Sequence, residues 1–511
     1  MRVRPRVAAL AVIALLSSLA AFAPAGAAAH SQYDGSITRP DGAVIAFTVF
    51  KPAAAADGDV PVIMHSHGWG GSRTTDMAAF QAELDRGYGV LSFDQRGFGD
   101  TGGRADVQNP EIEGKDVAAL IDYLAGLDWV ELDGPGDPVL FAMGLSYGGG
   151  YQMIGALTEV RDSGATRFNA LAPEITWFNL ANSLAPAKVA RSAWIALLYA
   201  GGLQAHQDDV HVATAFGTAT GQWPDGSLPV PGLPNLEERF RAHSPIAFVE
   251  AGHQLDIPVL IGQGSSDNLF NLNQGIANFQ QTLTAPARAR SVFIGYNGGH
   301  ALPNVLPPGY PVDAQIGGNS DPCTAPLGGF GALRLDFFDR VRAGQNPRQL
   351  VGGHPFHVAT ADGVCRSLSN LDANETVTPG PLDLTVTTSG AGAPQHIALK
   401  QGPFRIAGVA SVDATVTSAG ADQRVFFGLS IGDTPATARV VHNNLMPLRE
   451  LTPVVGEART VELAGVAVDV PAGQNLYLTV TPVSDMYIGH GSVRTPGAVV
   501  LQDLRVHLPV R

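Results

Sequence analysis

The stretch Pro138-Val-Leu-Phe-Ala-Met-Gly-Leu-Ser-Tyr-Gly-Gly-Gly150 holds an apolar run followed at once by the pattern Gly-x-Ser-x-Gly. The apolar run predicts a buried strand, and the residues from Gly149 to Leu157 can form a helix. A tight turn between such a strand and helix exposes one serine hydroxyl, and glycines flank it because Cβ atoms would not fit. This context makes Ser146 a candidate nucleophile.

Around this stretch, short apolar runs alternate with helix-like segments. Apolar runs of this kind are typical of strands buried on both faces, which predicts a mostly parallel sheet covered by helices, the α/β class. The predicted strands are Val44–Phe50, Val60–His65, Gly89–Phe93, Pro138–Met143, Phe168–Ala172, Ile257–Gly262 and Ser291–Ile294. Amphipathic patterns predict helices over Glu111–Leu127 and Ala332–Ala343.

The pattern of the chain changes twice and so predicts its division into parts. Strand-like and helix-like segments alternate over residues 30–345. Within this range, residues 173–245 lack strand-like runs and predict a helical cap. Residues 346–370 are expected to be a connecting segment. Residues 371–511 alternate with period two between turn residues, which predicts an all-β sandwich.

A nucleophilic serine needs a base and an acid that orients the base. In this kind of fold the acid follows the serine in the chain and the histidine follows the acid, and each of these two residues lies just after a strand. Asp267 follows the strand predicted at 257–262, and His300 follows the one predicted at 291–294. The three residues Ser146, Asp267 and His300 are therefore the candidate catalytic set, with a surface role for His300 as the alternative.

The sequence His65-Ser-His-Gly-Trp-Gly-Gly-Ser72 follows another predicted strand. A loop at this place supplies one donor to a developing oxyanion, and the backbone N–H of Tyr147 supplies the other. His65 and His67 also permit a metal pair, but no third ligand stands at a diagnostic spacing, so no metal is expected.

The segment Gly97-Phe-Gly-Asp-Thr-Gly102 matches a dinucleotide-binding pattern. That pattern requires a helix to begin at once and an acidic residue after the next strand, and neither is found here. No cofactor is therefore expected, and the segment is interpreted as a structural loop in which Arg96 pairs with a carboxylate.

Composition and charge exclude several classes of partner. The chain has 511 residues, 15% charged, and a formal net charge of −14, which argues against a nucleic-acid partner. Residues 1–29 combine Arg2, Arg4 and Arg6 with an apolar run and small residues, which predicts a secretory signal peptide. A membrane anchor is the alternative. We expect an exported protein with no membrane span after signal cleavage.

The two cysteines, Cys323 and Cys365, fit this expectation. An oxidising compartment allows them to form one disulfide, and two separate buried thiols are the alternative.

Together these residues resemble the Xaa-Pro dipeptidyl-peptidase and cocaine esterase family of α/β-hydrolases. The resemblance rests on Asp94-x-Arg96-Gly97-x-Gly99-x-x-Gly102, Gly144-x-Ser146-Tyr147-Gly148-Gly149, and Ser244-Pro245 before Ile257-Pro-Val-Leu260, and extends to Asp267 and His300. It implies an α/β-hydrolase fold with a helical cap insertion and a C-terminal jelly-roll-like sandwich. It also implies that Ser146, Asp267 and His300 form the triad.

One position departs from the family. Its members often use a tyrosine hydroxyl as the second oxyanion donor, and Trp69 stands at the matching place. The indole N–H or the backbone N–H of Trp69 is expected to replace it.

These features predict a secreted serine hydrolase that acts on a small ester, an amide or a short peptide, most simply an acyl esterase. The first alternative is an Xaa-Pro dipeptidyl-peptidase, which needs a cap carboxylate for the substrate amine. The candidates are Glu174, Asp208, Asp209, Glu237 and Glu238. The second alternative is a binding or adhesion protein with a vestigial hydrolase core.

Overall fold

The computed structural model describes residues 29–205, 208–228, 230–302, 306–310, 321–380, 383–388, 392–487 and 496–511. All but the last residue of the predicted signal peptide, 1–29, lies outside these ranges.

A ten-stranded sheet organises the N-terminal part, in the order β1-β2-β4-β3-β7-β8-β9-β10-β11-β12. The strands from β4 to β11 in this order are parallel, and antiparallel strands flank them at both edges. The strands are β1 Ser31–Thr38, β2 Val44–Lys51, β3 Val62–Ser66, β4 Gly89–Phe93, β7 Leu140–Leu145, β8 Phe168–Glu174, β9 Leu260–Gly264, β10 Val292–Tyr296, β11 Phe356–Ala359 and β12 Cys365–Leu368. A small separate ribbon comprises β5 Leu132–Gly134 and β6 Asp137–Pro138.

Helices cover both faces of this sheet and enclose two apolar cores. The helices outside the cap are α1 Gln81–Asp85, α2 Glu113–Ala125, α3 Tyr147–Ser163, α8 Pro245–Glu250, α9 Leu272–Ala277, α10 Ala285–Arg290 and α11 Phe330–Arg342. One core joins the sheet to α2, α3 and α9, and the other joins it to α1 and α11. The parallel strands are thus buried on both faces, as their apolar sequences predict.

All seven predicted strands exist, with ends that differ by a few residues. The strand predicted at Pro138–Met143 lies at Leu140–Leu145, because Gly144 and Leu145 still pair with β8. Strand β1 was not predicted, because this exposed edge strand has a polar sequence without an apolar alternation.

The prediction that residues 346–370 merely connect two parts was wrong. This segment supplies β11 and β12, and β11 pairs in parallel with β10. The short apolar run Phe356–Ala359 is buried at the sheet and therefore extends it. The sheet continues to residue 368.

The cap lies between β8 and α8 and is helical. Its helices are α4 Leu180–Leu184, α5 Ser192–Gly201, α6 Asp208–Thr220 and α7 Leu236–Ala242. Their apolar side chains form a core of their own, which also contains Tyr147 and Phe270 from the α/β part. The cap therefore packs directly over the end of β7.

The C-terminal part is an antiparallel sandwich with its own apolar core. One sheet has the order β13-β24-β17-β21 with β14 beside β24, the other has the order β15-β23-β18-β19 with β20 beside β18, and β16 pairs with β22. The strands are β13 Glu375–Val377, β14 Leu384–Thr387, β15 Gln395–Gln401, β16 Phe404–Gly408, β17 Ser411–Ala419, β18 Gln423–Gly432, β19 Arg439–Val440, β20 Met446–Glu450, β21 Glu457–Glu462, β22 Val466–Val470, β23 Asn475–Thr481 and β24 Ala498–Leu508. In the described part of the chain, no helix is both long and apolar enough to cross a bilayer.

Candidate active site

Ser146 lies at the sharp turn between β7 and α3. Its φ of +57° and ψ of −119° are a backbone conformation that a residue with a side chain rarely adopts. Gly144 makes the turn possible, because a Cβ at Gly144 would lie 2.7 Å from the carbonyl oxygen of Gly148. The strain presents the Ser146 hydroxyl beyond the carboxyl end of the sheet.

The loops after β9 and β10 bring Asp267 and His300 to the same edge. His300 Nε2 lies 2.9 Å from Ser146 Oγ, and His300 Nδ1 lies 2.7 Å from Asp267 Oδ2. Because the Asp267 carboxylate can only accept, Nδ1 carries the ring proton and donates it to Asp267. Nε2 then accepts from the serine hydroxyl. The structure thus brings together the three residues that the sequence singled out.

Three backbone donors hold the Asp267 carboxylate, which is fully buried. Its Oδ1 accepts from the N–H groups of Leu269 at 3.0 Å and Phe270 at 2.6 Å. Its Oδ2 accepts from the N–H of His300 at 3.0 Å as well as from the ring. Such bonds fix the direction of the carboxylate.

The loop after β3, residues 67–72 (the β3 loop), lies against the Ser146 turn. His67 supports it, since Nδ1 donates to the Gly68 carbonyl oxygen at 2.8 Å and Nε2 accepts from the Gln95 N–H at 3.1 Å. His65 Nδ1 lies 3.0 Å from the hydroxyl oxygen of Ser92. Burial lowers the pKa of His67, and burial lowers that of His65 to about 3. Burial therefore disfavours the charged form of both rings.

Trp69 from this loop reaches into the cap. Its indole N–H donates to the carbonyl oxygen of Leu198 in α5 at 2.9 Å. The indole N–H thus already has an acceptor, which makes the backbone N–H of Trp69 the better candidate for the second oxyanion donor. Tyr147 is the first residue of α3, so its N–H has no acceptor within the helix.

The loop after β4 has the structural role expected of it. Arg96 lies between two carboxylates, with Nε 2.5 Å from Asp116 Oδ2 and NH1 2.5 Å from Asp41 Oδ2. Asp94 accepts from the Asp100 N–H at 2.9 Å and pairs with Arg73. These bonds fold the glycine-rich loop onto itself and onto α2.

The predicted disulfide is present between Cys323 and Cys365, which are 42 residues apart in sequence. It joins the segment after residue 320 to β12 at the edge of the sheet. Two residues before Cys323, Asp321 accepts from the N–H of Asn297 in the loop that carries His300, at 3.0 Å. The disulfide therefore restrains a contact of the His300 loop.

An apolar cavity opens beside Ser146 and beneath the cap. The centre of a sphere the size of a water molecule can move through about 60 Å³ of this cavity. Ser146 and Tyr147 line it together with residues of the cap core, among them Leu180, Leu184, Ile195, Leu198 and Phe240. Among the described residues, no carboxylate, ammonium or guanidinium group lines this cavity.

Comparison with known proteins decides the family. A model of the family described as X-Pro dipeptidyl-peptidase (S15 family) matches residues 41–301, which is more than half of the chain. The chain belongs to the S15 family. This confirms the resemblance drawn from the motifs around Arg96 and Ser146 and places the chain in a hydrolase family.

Solved structures share the fold of this S15 member over nearly its whole length. A CocE/NonD family hydrolase from Staphylococcus aureus is 12% identical with a TM-score of 0.65, and the match covers 95% of this chain and 97% of that one. An alpha-amino acid ester hydrolase labelled with selenomethionine is 13% identical with a TM-score of 0.65, covering 98% of this chain and 100% of that one. These matches confirm the α/β-hydrolase fold with a C-terminal β part.

One relative matches by sequence alone. The uncharacterized protein YcjY of Escherichia coli (strain K12) is 28% identical over 114 residues, which is 22% of this chain. The match spans 36% of that relative's length.

The carboxylates considered for binding a substrate amine do not line the cavity of this S15 member. Asp209 pairs with Arg239 at 2.8 Å, and Glu237 accepts from the Trp223 indole at 2.8 Å. Glu174 is buried at the end of β8. The remaining two are Asp208, beside Arg104 at 3.4 Å, and Glu238, which accepts from Asn235 at 3.2 Å.

Several residues around the site were missed by the sequence analysis. Trp194 and Arg191 of the cap contact Asn268, and His442 and Asn444 of the sandwich contact the loop that carries Asp267. These residues stand in no motif. Their contacts are formed only by packing of the three parts of the fold.

Proposed function

We propose that this S15-family hydrolase cleaves carboxylic esters with a small apolar acyl group through an acyl-enzyme on Ser146. The observation that carries the proposal is the hydrogen-bonded chain from Ser146 through His300 to Asp267, whose serine faces an uncharged cavity. A serine hydroxyl at its ordinary pKa is a weak nucleophile and needs this arrangement.

In the first half of the reaction, His300 Nε2 takes the Ser146 proton as Oγ attacks the ester carbonyl carbon. The carbonyl becomes a tetrahedral oxyanion, and the imidazole becomes positively charged. Asp267 stabilises that charge through its bond to Nδ1–H, without taking the proton itself. The imidazolium then protonates the departing alcohol.

The oxyanion needs donors that are already in place. The N–H of Tyr147 lies at the positive end of the 17-residue helix α3, and the Trp69 backbone is the second donor of the proposal. In the second half, His300 takes a proton from the water that attacks the acyl-enzyme. The imidazolium then gives this proton to Ser146 Oγ as the bond between Oγ and the acyl carbon breaks, which releases the acid and restores the serine.

The cavity supports a small, uncharged acyl group. About 60 Å³ of the cavity is open to the centre of a water-sized sphere, well above the roughly 10–15 Å³ that a single water needs, so the cavity has room for several heavy atoms of a substrate. Burying an ammonium group beside apolar side chains without a carboxylate is unfavourable. This argues against the substrate amine of a dipeptidyl-peptidase.

We further propose that the protein is exported. The basic and apolar sequence of residues 1–29 supports this, and so does the Cys323–Cys365 disulfide, since disulfides persist mainly in oxidising compartments. N-terminal sequencing of protein from the culture medium tests it. A chain retained in the cells with its first 29 residues intact would contradict export.

Labelling by a fluorophosphonate probe tests the reaction mechanism. We expect the wild-type protein to be labelled and Ser146→Ala to be inert, whereas an unlabelled wild type would favour the vestigial core. Turnover of p-nitrophenyl butyrate, compared with that of Gly-Pro and Ala-Pro p-nitroanilides, then tests the substrate class. Faster turnover of the dipeptide anilides would overturn the esterase proposal in favour of the peptidase.

A further inference from the structure

The loop that carries Asp267 touches the C-terminal sandwich. This loop, residues 265–269 (the β9 loop), contacts residues 441–444 between β19 and β20 (the sandwich turn). Asn444 Nδ2 donates to the backbone carbonyl oxygen of Asp267 at 2.8 Å, and His442 Nδ1 lies 3.2 Å from the hydroxyl oxygen of Ser266. Both sandwich side chains are buried.

Asn444 and His300 form hydrogen bonds with opposite ends of one peptide group, the one between Asp267 and Asn268. The carbonyl of Asp267 and the N–H of Asn268 belong to the same planar unit. That N–H donates to the carbonyl oxygen of His300 at 2.9 Å. A rotation of this peptide would therefore disturb the acid and the base together.

The sandwich turn is rigid enough to serve as a fixed support. His442 and Asn443 have φ values of +55° and +54°, which residues with side chains adopt only where their surroundings enforce it. His442 Nε2 lies 3.0 Å from the carbonyl oxygen and 3.2 Å from the backbone nitrogen of Ala467 in β22. The turn is thus fixed from within the sandwich.

The cap also holds the β9 loop. Trp194 Nε1 donates to Asn268 Oδ1 at 2.7 Å, and the Arg191 guanidinium donates to the Asn268 carbonyl oxygen. The same guanidinium lies 3.5 Å from the sulfur of Met446 and 5.7 Å from the ring centre of Tyr487, both in the sandwich. Cap and sandwich therefore enclose the β9 loop together.

We propose that Asn444 is a positioning residue for the reaction: its amide fixes the 267–268 peptide and, through it, Asp267 and His300. The proposal rests on the triad of the proposed function. It makes the sandwich a part of the catalytic support, since the donor comes from a residue 177 positions after Asp267. A misplacement of catalytic groups by about 1 Å can cost on the order of 100-fold in rate.

The test compares Asn444→Leu and Asn444→Ala with Asn443→Ala in the full-length protein. Leucine has a branched shape like that of asparagine but is larger and cannot donate, so it removes the hydrogen bond without leaving a cavity. The side chain of Asn443 makes no hydrogen bond to the β9 loop within the described residues, so Asn443→Ala disturbs the same turn without removing that bond. Melting temperature and circular dichroism report folding.

We expect both Asn444 variants to lose about 10- to 100-fold in fluorophosphonate labelling rate and in kcat for p-nitrophenyl butyrate, with KM changed little. The midpoint of the labelling rate against pH moves to lower pH, because a displaced Asp267 stabilises the imidazolium less. Asn443→Ala keeps kcat within about threefold and the wild-type midpoint, even where its melting temperature falls. A mere loss of stability would not move this midpoint.

Folded Asn444 variants with wild-type kcat and midpoint, in an enzyme that Ser146→Ala inactivates, overturn the positioning role alone. A Ser146→Ala protein with full activity overturns the triad and the positioning role together. If Asn444→Ala does not fold, Asn444→Leu decides. If neither folds while Asn443→Ala does, Asn444 supports the fold rather than the reaction, and the proposal is wrong.

Discussion

The indole N–H of Trp69 donates to the carbonyl oxygen of Leu198 at 2.9 Å, which ties the β3 loop to cap helix α5. The Trp69 ring also lies edge-on to the rings of Phe98 and Tyr147, with centroids 4.9 Å away in both cases. The cap is therefore joined to the loop that carries the proposed second oxyanion donor. The indole has a structural role there, and the proposed function assigns the oxyanion to the backbone N–H of Trp69.

Replacing Trp69 with Phe separates these roles. Phe keeps an aromatic ring but removes the indole donor, so we expect kcat for p-nitrophenyl butyrate to fall only about three- to tenfold. Loss of a true oxyanion donor costs about 10²- to 10³-fold. Trp223→Phe is the matched control, because that buried indole donates to Glu237 instead. A 100-fold loss in Trp69→Phe alone would show that the indole stabilises the oxyanion.

Leu184 offers a test of the cavity as the acyl site. Leu184→Ala enlarges the cavity, so we expect the ratio of hexanoate to butyrate turnover to rise severalfold, at a cost of about 2–4 kcal/mol in stability. Leu236→Ala is the control, since Leu236 is buried in the cap core but does not line the cavity. Equal chain-length preference in both variants would place the acyl group elsewhere.

Because of the buried side chain of His442, the free energy of unfolding depends on pH in the acidic range. Burial lowers its pKa from 6.5 to about 4, although the bond to Ala467 opposes this shift. Between these two pH values the unfolded chain binds a proton that the folded chain does not, so the free energy of unfolding decreases as the pH falls. For this group the slope is at most about 1.4 kcal/mol per pH unit.

The measurement is the melting temperature from pH 7 to pH 4 for wild type, His442→Gln and His354→Gln. We expect His442→Gln to lose less of its melting temperature on acidification than the wild type, whatever its starting value. The surface residue His354 serves as the control, and its variant should follow the wild type. Parallel curves for all three proteins would rule out this contribution.

The disulfide predicts a large effect of the two cysteines on stability. In the chain-entropy model, a disulfide that closes a loop of 42 residues raises the free energy of unfolding by about 4 kcal/mol. We expect the double variant with Cys323→Ser and Cys365→Ser to unfold at markedly lower urea concentration. Titration of the denatured, unreduced wild type should find no free thiol. Two titratable thiols would contradict the bond.

The sequence predicted those parts of the site that follow local rules. Ser146 stands in a strand–turn–helix motif, and Asp267 and His300 each follow an apolar strand, so their meeting at one sheet edge follows from parallel pairing. The cap and the sandwich were predicted from changes in the spacing of apolar residues along the chain. The short strands β11 and β12 were missed, because four-residue runs carry too weak a pattern.

Contacts between distant parts could not be predicted. Asn444 stands in a turn without a motif, 177 residues after Asp267, and only the packing of the sandwich brings them together. The bond between Trp69 and Leu198 spans 129 residues and depends on how the cap helix lies. Such contacts depend on tertiary structure, which one sequence does not reveal.

The most direct test of the central claim locates the fluorophosphonate adduct by mass spectrometry of the digested protein. We expect one adduct, on Ser146, that is absent from Ser146→Ala and forms far more slowly in His300→Ala. An adduct on another residue, or unchanged labelling in His300→Ala, would contradict it.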